Sequence, residues 1–262
     1  MAEGIDCATP LNAQTAKAIA REGYRFAARY LVPLGYAWKR LTQAEAEAIT
    51  DAGMQVISVY ETSANRPAGG AAAGQTDGAA AFREAQTVGQ PPGTAIYFAV
   101  DYDATAQDYD EIEAYLRTAA TQLPGYEAGV YGSYAVIEEM AKRSACRHFW
   151  QTYAWSRGQK SSRANLYQYR NNVKVAGVTV DLNESFGNEG GWTTNQRGGD
   201  SGVTPENPAT GGGTNEKMSS DDAVKIIAFL QAAWKVATTK TDKEEFHRLA
   251  NEVRKAAGLP LA

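Results

Sequence analysis

Apolar and polar positions fall into a repeating block from the start of the chain to about Trp192. Each block holds a short apolar run, a polar loop, a stretch with helical periodicity and a glycine before the next apolar run. The apolar runs occupy residues 4–6, 26–31, 56–61, 95–103, 128–131, 148–153, 165–169 and 178–181. Alternation of this kind predicts a parallel sheet with helical crossovers.

Several helix ends are marked in the sequence. The stretch 16–22 stops at Gly23; the stretch 42–51 carries Thr42 and Glu45 at capping-box spacing and stops at Gly53. Thr105-Ala106-Gln107-Asp108 opens a third helix, which Pro124-Gly125 closes. Eight parallel strands with crossover helices close as an α/β (β/α)8 TIM-barrel-like domain, predicted over residues 1–193. That length is lean for such a barrel and implies short or missing late helices. An open doubly wound sheet is the alternative, but no Gly-x-Gly-x-x-Gly follows the first strand. Gly69-Gly70-Ala71-Ala72-Ala73-Gly74 lacks the Gly-Lys-Ser/Thr ending of a phosphate loop and reads as a flexible rim loop entering the next helix.

The pattern changes over residues 194–216, where Gly198-Gly199, Pro205, Pro208 and Gly211-Gly212-Gly213 sit among Thr, Asn and Ser, the composition of a flexible linker. Residues 217–262 then read as a small all-α module. Val224, Ile227, Leu230 and Trp234 recur on one helical face, and Phe246, Leu249 and Val253 on another, with Thr241 and Glu244 at a start and Gly258 and Pro260 at a stop. Two short helices bury too little surface to stand alone, so homo-oligomerisation or docking on a partner surface is expected.

The formal charge of −4, without a basic tract, predicts no nucleic-acid binding. Charge is mildly uneven, +2 from Lys217 onward against −6 before it, which suits an anionic wall polymer for the tail. Cys7 and Cys146 have no CxxC spacing and read as buried free thiols. His148 and His247 are too few for a His-rich metal site or a Ser-His triad, and no cofactor or metal is expected. No stretch is apolar enough to enter a membrane. Met1 to Asp6 shows no basic segment leading into an apolar run, so synthesis in the cytoplasm without a signal peptide is expected, with release to any outside substrate by another route.

Four of the apolar runs lead straight into acids: Asp6, Glu61, the pair Asp101 and Asp103, and Asp181. In a parallel barrel every strand ends on the same rim, so these carboxylates should converge in one cleft. Alternate residues of a strand share a face, which puts Asp101 and Asp103 on one side, roughly 6–7 Å apart, and Ile96, Phe98 and Val100 on the other. Glu61, on the neighbouring strand, is expected within about 5 Å of Asp101. Crowded carboxylates divide into a protonated acid and an ionised neighbour, the equipment for cutting a glycosidic bond. The rim acids could instead cap loops or pair with arginines such as Arg29.

Gly4-Ile5-Asp6, Asp101-x-Asp103, Tyr167-Gln168-Tyr169 and Val180-Asp181-Leu182-Asn183, in that order, resemble the pattern of family 25 glycoside hydrolases, the lysozyme-like N-acetylmuramidases. Residues 3–192 are more similar to a related glycoside-hydrolase-like domain family, found in bacterial surface proteins and phage endolysins, through Tyr97-Phe98-Ala99-Val100-Asp101-Tyr102-Asp103. The resemblance implies a barrel acting on the glycan backbone of bacterial peptidoglycan, in an endolysin whose tail targets the wall. It implies that Asp101 stabilises charge at the anomeric carbon or orients the acetamido group for substrate-assisted attack, that Asp103 or Glu61 donates the proton, and that Asp6 and Asp181 hold the cleft. Gln168 and Asn183 would bind substrate, with Tyr60, Tyr102, Tyr131 and Trp155 stacking on sugars. Muramidases carry Asp-x-Glu where this chain has Asp101-x-Asp103, and the shorter side chain puts the acid role of Asp103 in question. A non-catalytic polysaccharide-binding barrel is the alternative reading.

Overall fold

The computed structural model describes residues 2–196, 223, 227, 231 and 240–259. The chain divides into two compact units, Met1–Ser201 and Gly202–Ala262. The first is a closed eight-stranded barrel whose strands follow one another in chain order. Its elements are β1 (Ala2–Asp6), α1 (Ala13–Arg21), β2 (Phe26–Tyr30), α2 (Gln43–Asp51), β3 (Gln55–Tyr60), α3 (Gly70–Val88) and β4 (Ala95–Ala99). There follow α4 (Tyr109–Thr121), β5 (Glu127–Gly132), α5 (Tyr134–Lys142), β6 (His148–Thr152), β7 (Leu166–Val175) and β8 (Val178–Ser185).

The expected eight parallel strands become seven. Neighbours from β1 to β7 pair in parallel, whereas β8 runs antiparallel to both β7 and β1. The reason is the connection: Ala176 and Gly177 form a two-residue turn with φ of +46° and +82°. Positive φ at both central positions is the twist of a tight hairpin, which is too short to hold the crossover a parallel return would need. The β6–β7 connection also lacks a helix, so the late helices expected to be short or missing are absent among the described residues.

Strand parity separates two apolar layers. Ile5, Ala27, Val56, Ile96, Phe98, Val100 and Val130 face the helices, while Phe26, Ala28, Ile57, Val59, Ala95, Tyr97, Ala99, Tyr131, Trp150 and Leu166 fill the lumen. Trp150 is the centre of that lumen, with T-shaped contacts to Tyr97 and Tyr131 at ring-centroid distances of 5.8 and 5.0 Å. Gly129 makes room for these rings, because a Cβ there would stand 2.7 Å from Tyr97. A barrel lumen filled in this way is a packed core rather than a pore.

Outside the barrel, Gly70, Gly74 and Gly78 lie on one face of α3 rather than in a flexible rim loop. A Cβ at Gly78 would stand 2.6 Å from the Ala119 carbonyl, and one at Gly74 would strike that of Tyr115, so these glycines allow α3 to approach the α4 backbone. Thr42 caps α2 by accepting from the Glu45 amide at 3.2 Å, as its spacing predicts. The Glu45 carboxylate does not complete a capping box: it accepts from the Leu11 amide at 2.7 Å and from Arg29 Nε at 2.6 Å. Arg29 is fully buried and also donates to the Cys7 and Lys39 carbonyls, so it pairs with a helix carboxylate and not with the rim acids.

Cys7 is buried and Cys146 partly so, both as free thiols. In the second unit, α6 (Lys240–Ala257) ends where Gly258, at φ +71°, lets the Leu259 amide return to the Arg254 carbonyl at 2.8 Å. Thr241 falls inside the first turn of α6 rather than before it. Val224, Leu230, Trp234 and almost all of the expected linker lie outside the described residues.

Candidate active site

At the C-terminal rim of the parallel strands, a recess of about 130 Å³ is lined by Asp6, Tyr30, Val59, Glu61, Ala99, Asp101, Tyr131, Trp150, Gln168, Asn171 and Asp181. Four of the five expected catalytic acids therefore meet. Asp6 is the last residue of β1, Glu61 follows β3, and Asp101 follows β4 at the parity that faces the lumen. Asp181 reaches the same rim from the opposite direction. Because β8 is antiparallel, its early residues, not its last ones, lie beside the end of β1, with Asp6 and Asp181 in direct register.

Asp103 does not join them. Strand β4 ends at Ala99, and beyond Asp101 the chain turns away, so the strand spacing that would have kept Asp103 on the same face is lost. Asp103 is exposed and lines a neighbouring groove of about 270 Å³ with Tyr109, Tyr134, Trp155 and Arg157. Trp155 stands in that groove, 38% exposed. Tyr60 is a core side chain, 3% exposed and tilted against Phe98, and does not line the recess. Tyr102 is half-buried, with a hydroxyl that finds no partner, and lies outside the recess as well.

A polar network holds the carboxylates from below. Gln168 Nε2 donates to Asp6 Oδ2 at 2.9 Å and to Asp181 Oδ2 at 3.4 Å, while its Oε1 accepts from Tyr131 and Thr152, each at 2.9 Å. Asn183 Nδ2 donates to Asp6 Oδ2 at 2.7 Å, and its Oδ1 accepts from the Trp150 indole at 2.8 Å. An indole N–H can only donate, which fixes the orientation of the Asn183 amide and aims its NH2 at Asp6. Gln168 and Asn183 are thus buried braces of the acids.

Burial pushes the Asp6 carboxyl up to about 7, assisted by the nearby Asp181 charge and opposed by the amides of Asn183 and Gln168. Asp101 is raised chiefly by burial and next by Glu61, with Lys39 pulling it back. Asp181 is raised by burial against the hydrogen bond from the Asn172 amide, 2.8 Å from its Oδ1. Lys39 Nζ stands 3.3 Å from Glu61 Oε2 and 4.4 Å from the centre of the Tyr30 ring. The arrangement crowds these carboxyls into one poorly solvated recess, where Asp6 holds its proton furthest up the pH scale.

Sequence reasoning missed Tyr30, Lys39, Trp150 and Asn171. Tyr30 ends β2, so the strand-end logic applied to the acids would have found it; Trp150 lies in the middle of β6 and follows only from lumen parity. Lys39 comes from the β2–α2 loop, whose backbone Arg29 anchors through the Lys39 carbonyl, and no local pattern marks it.

Residues 17–185 match the family described as Rv2525c-like, glycoside hydrolase-like domain. The chain belongs to that family. Its barrel superposes on the Tat-secreted protein Rv2525c of Mycobacterium tuberculosis, solved with L-tartrate, with a TM-score of 0.66 at 25% identity, over 73% of this chain and 99% of that one. It also shares the fold of a glycosyl hydrolase 25 of Streptococcus pneumoniae, with a TM-score of 0.50 at 12% identity, over 70% of this chain and 86% of that one. The uncharacterized protein YbfG of Bacillus subtilis is 35% identical over 155 residues, 50% of this chain and 20% of its own length. The chain spans only about a fifth of that relative. Among the described residues no helix is long and apolar enough to cross a membrane, and no three His, Cys, Asp or Glu side chains are grouped to hold a metal ion.

Proposed function

We propose that the barrel hydrolyses the sugar backbone of bacterial peptidoglycan as an N-acetylmuramidase-like glycosidase. The observation that carries this reading is the convergence of Asp6, Glu61, Asp101 and Asp181 in one recess, with Asp6 held near neutrality at about 7. Asp6 Oδ2 is engaged by Gln168 and Asn183, which leaves Oδ1 to carry the proton toward the glycosidic oxygen. Ionised Asp101 stabilises the positive charge that develops at the anomeric carbon. Glu61, tied to Lys39, and Asp181 keep the recess negative. Asp103 is no longer the proton donor in this scheme, since it lines the neighbouring groove, where Trp155 offers a stacking surface.

The endolysin-like part of the proposal rests on composition. A linker over 194–216 and a helical module over 217–262 that binds wall polymer or self-associates would raise the local concentration of the barrel at its substrate. Action at the cell wall agrees with Rv2525c being a Tat-secreted protein.

The test is reducing-end release from purified Gram-positive peptidoglycan, with mass analysis of the fragments. Release of muramic-acid ends by the wild type and its loss in Asp6→Asn and Asp101→Asn is the expected result. Wall binding without release would instead make this a polysaccharide-binding barrel, the reading favoured by the placement of Asp103 away from the recess.

A further inference from the structure

Among the described residues, Asn171 lines the recess and carries a buried side-chain oxygen, Oδ1, that has no hydrogen-bond partner. A buried acceptor left unpaired is costly, so such an atom in a native fold calls for a partner that arrives from outside. The backbone explains how it came to be there. The β7–β8 register shifts between Gln168 and Arg170 and again between Arg170 and Val173, a bulge centred on Asn171 and Asn172. Asn172 takes φ +58° at this bulge and donates its amide to Asp181. Bulges of this kind re-aim side chains beside functional sites. Here one bulge both holds an acid and turns a carboxamide into the recess.

The chemistry of the lining selects the partner. Asp6, Glu61, Asp101 and Asp181 present acceptor oxygens, and Asn171 adds another. Several donors around them are already engaged within the protein: Tyr131 on Gln168, Gln168 on Asp6 and Asp181, and the Trp150 indole on Asn183. A ligand that fits must therefore bring several donors and no carboxylate of its own. Sugar hydroxyls and an acetamido N–H meet that requirement.

We propose that Asn171 is a saccharide-binding residue, its carboxamide oxygen accepting a hydroxyl or acetamido N–H of an uncharged amino sugar seated among the acids. This deepens the glycosidase reading and rests on it. The geometry makes Asn171 a contact to ligand rather than a brace of the acids, since no hydrogen bond joins its Oδ1 to any of them.

The test titrates the full-length protein with the N-acetylglucosamine tetramer by calorimetry, comparing wild type with Asn171→Leu, which keeps the size without the acceptor, and Asn171→Asp, which restores an oxygen. Binding weakened about tenfold or more in Asn171→Leu and recovered in Asn171→Asp is the expected result. Equal affinity in wild type and Asn171→Leu would overturn the inference and leave the glycosidase reading standing, because the oxygen would then be satisfied by solvent. Loss in both variants would overturn it too, by showing that the shape of the bulge, not the acceptor, matters. A wild type that neither binds the tetramer nor cleaves peptidoglycan would remove the functional reading and this inference together. Asn171→Ala replaces the leucine variant if that protein does not fold.

Discussion

Asp6 and Asp181 stand directly opposite each other on antiparallel strands, with Gln168 Nε2 reaching 2.9 Å to one carboxylate and 3.4 Å to the other. Like charges in register repel, and neither group is well solvated. The pair is tolerable because one carboxyl keeps its proton near neutral pH, which is the condition a general acid needs.

That relationship sets a pH dependence of stability. The folded state holds the Asp6 proton up to about pH 7, against 3.8 for an unperturbed aspartate. Its contribution is therefore fully favourable below about pH 4 and is lost as pH rises toward 7, at on the order of 1.4 kcal/mol for each step of one in pH. Asp6→Asn removes the titration, so it should raise the melting temperature more at pH 8 than at pH 5 while abolishing hydrolysis. An equal gain at both pH values would show that Asp6 does not titrate in this window.

Asp101→Asn and Asp103→Asn should behave differently despite their spacing in sequence. The first is expected to lose at least about 100-fold in turnover of peptidoglycan while remaining folded. The second is expected to stay within a few-fold, because Asp103 is exposed and outside the recess. Comparable losses in both would place Asp103 back among the reacting groups.

Lys39 draws the Asp101 carboxyl down and pairs with Glu61. Lys39→Met keeps the apolar stem beside Tyr30 and removes the charge, so the Asp101 carboxyl should rise further. In the proposed scheme Asp101 acts in its ionised form, so the acidic limb of the kcat/KM profile should move to higher pH. A profile that scales in height without moving would argue that Lys39 only shapes the rim.

Gly78→Ala and Gly74→Ala test the close helix contact. Each added Cβ meets an α4 carbonyl, at 2.6 Å in the case of Gly78. Overpacking of this kind costs about 1–3 kcal/mol, so the melting temperature should fall by several degrees. Activity per folded molecule should be unchanged, as α3 and α4 supply no residue lining the recess. Unaltered melting would mean that the helices separate freely.

Much of the barrel is legible in the chain because its signals are local. Lumen parity at Ala95, Tyr97 and Ala99 against Ile96, Phe98 and Val100 follows from the two-residue period of a strand, and Asp6, Glu61 and Asp101 meet on the shared rim as expected, whereas Asp181 joins them only because β8 is reversed. The Thr42 cap and the stops at Gly23, Gly53 and Gly258 follow from backbone rules within a few residues. The same locality explains the errors. Strand parity extended past the end of β4 misplaces Asp103. The glycines of α3 suggest flexibility in the sequence, whereas α4 needs their lack of a side chain, and Glu45 has the spacing of a cap residue but finds Arg29 beside it in space.

The sequence by itself determined the alternation of strand and helix and the presence of an acid-lined rim, since these depend on periodicity and on residues adjacent in the chain. Only the tertiary structure decided the reversal of β8, the Gln168 and Asn183 braces and the unpaired Asn171 oxygen. Asp6 meets Gln168 and Asn183 across separations of 162 and 177 residues, and such contacts exist only once the barrel has closed. Closure also buries the carboxylates together, so the raised affinity of Asp6 for its proton belongs to the folded protein and not to any segment of the chain.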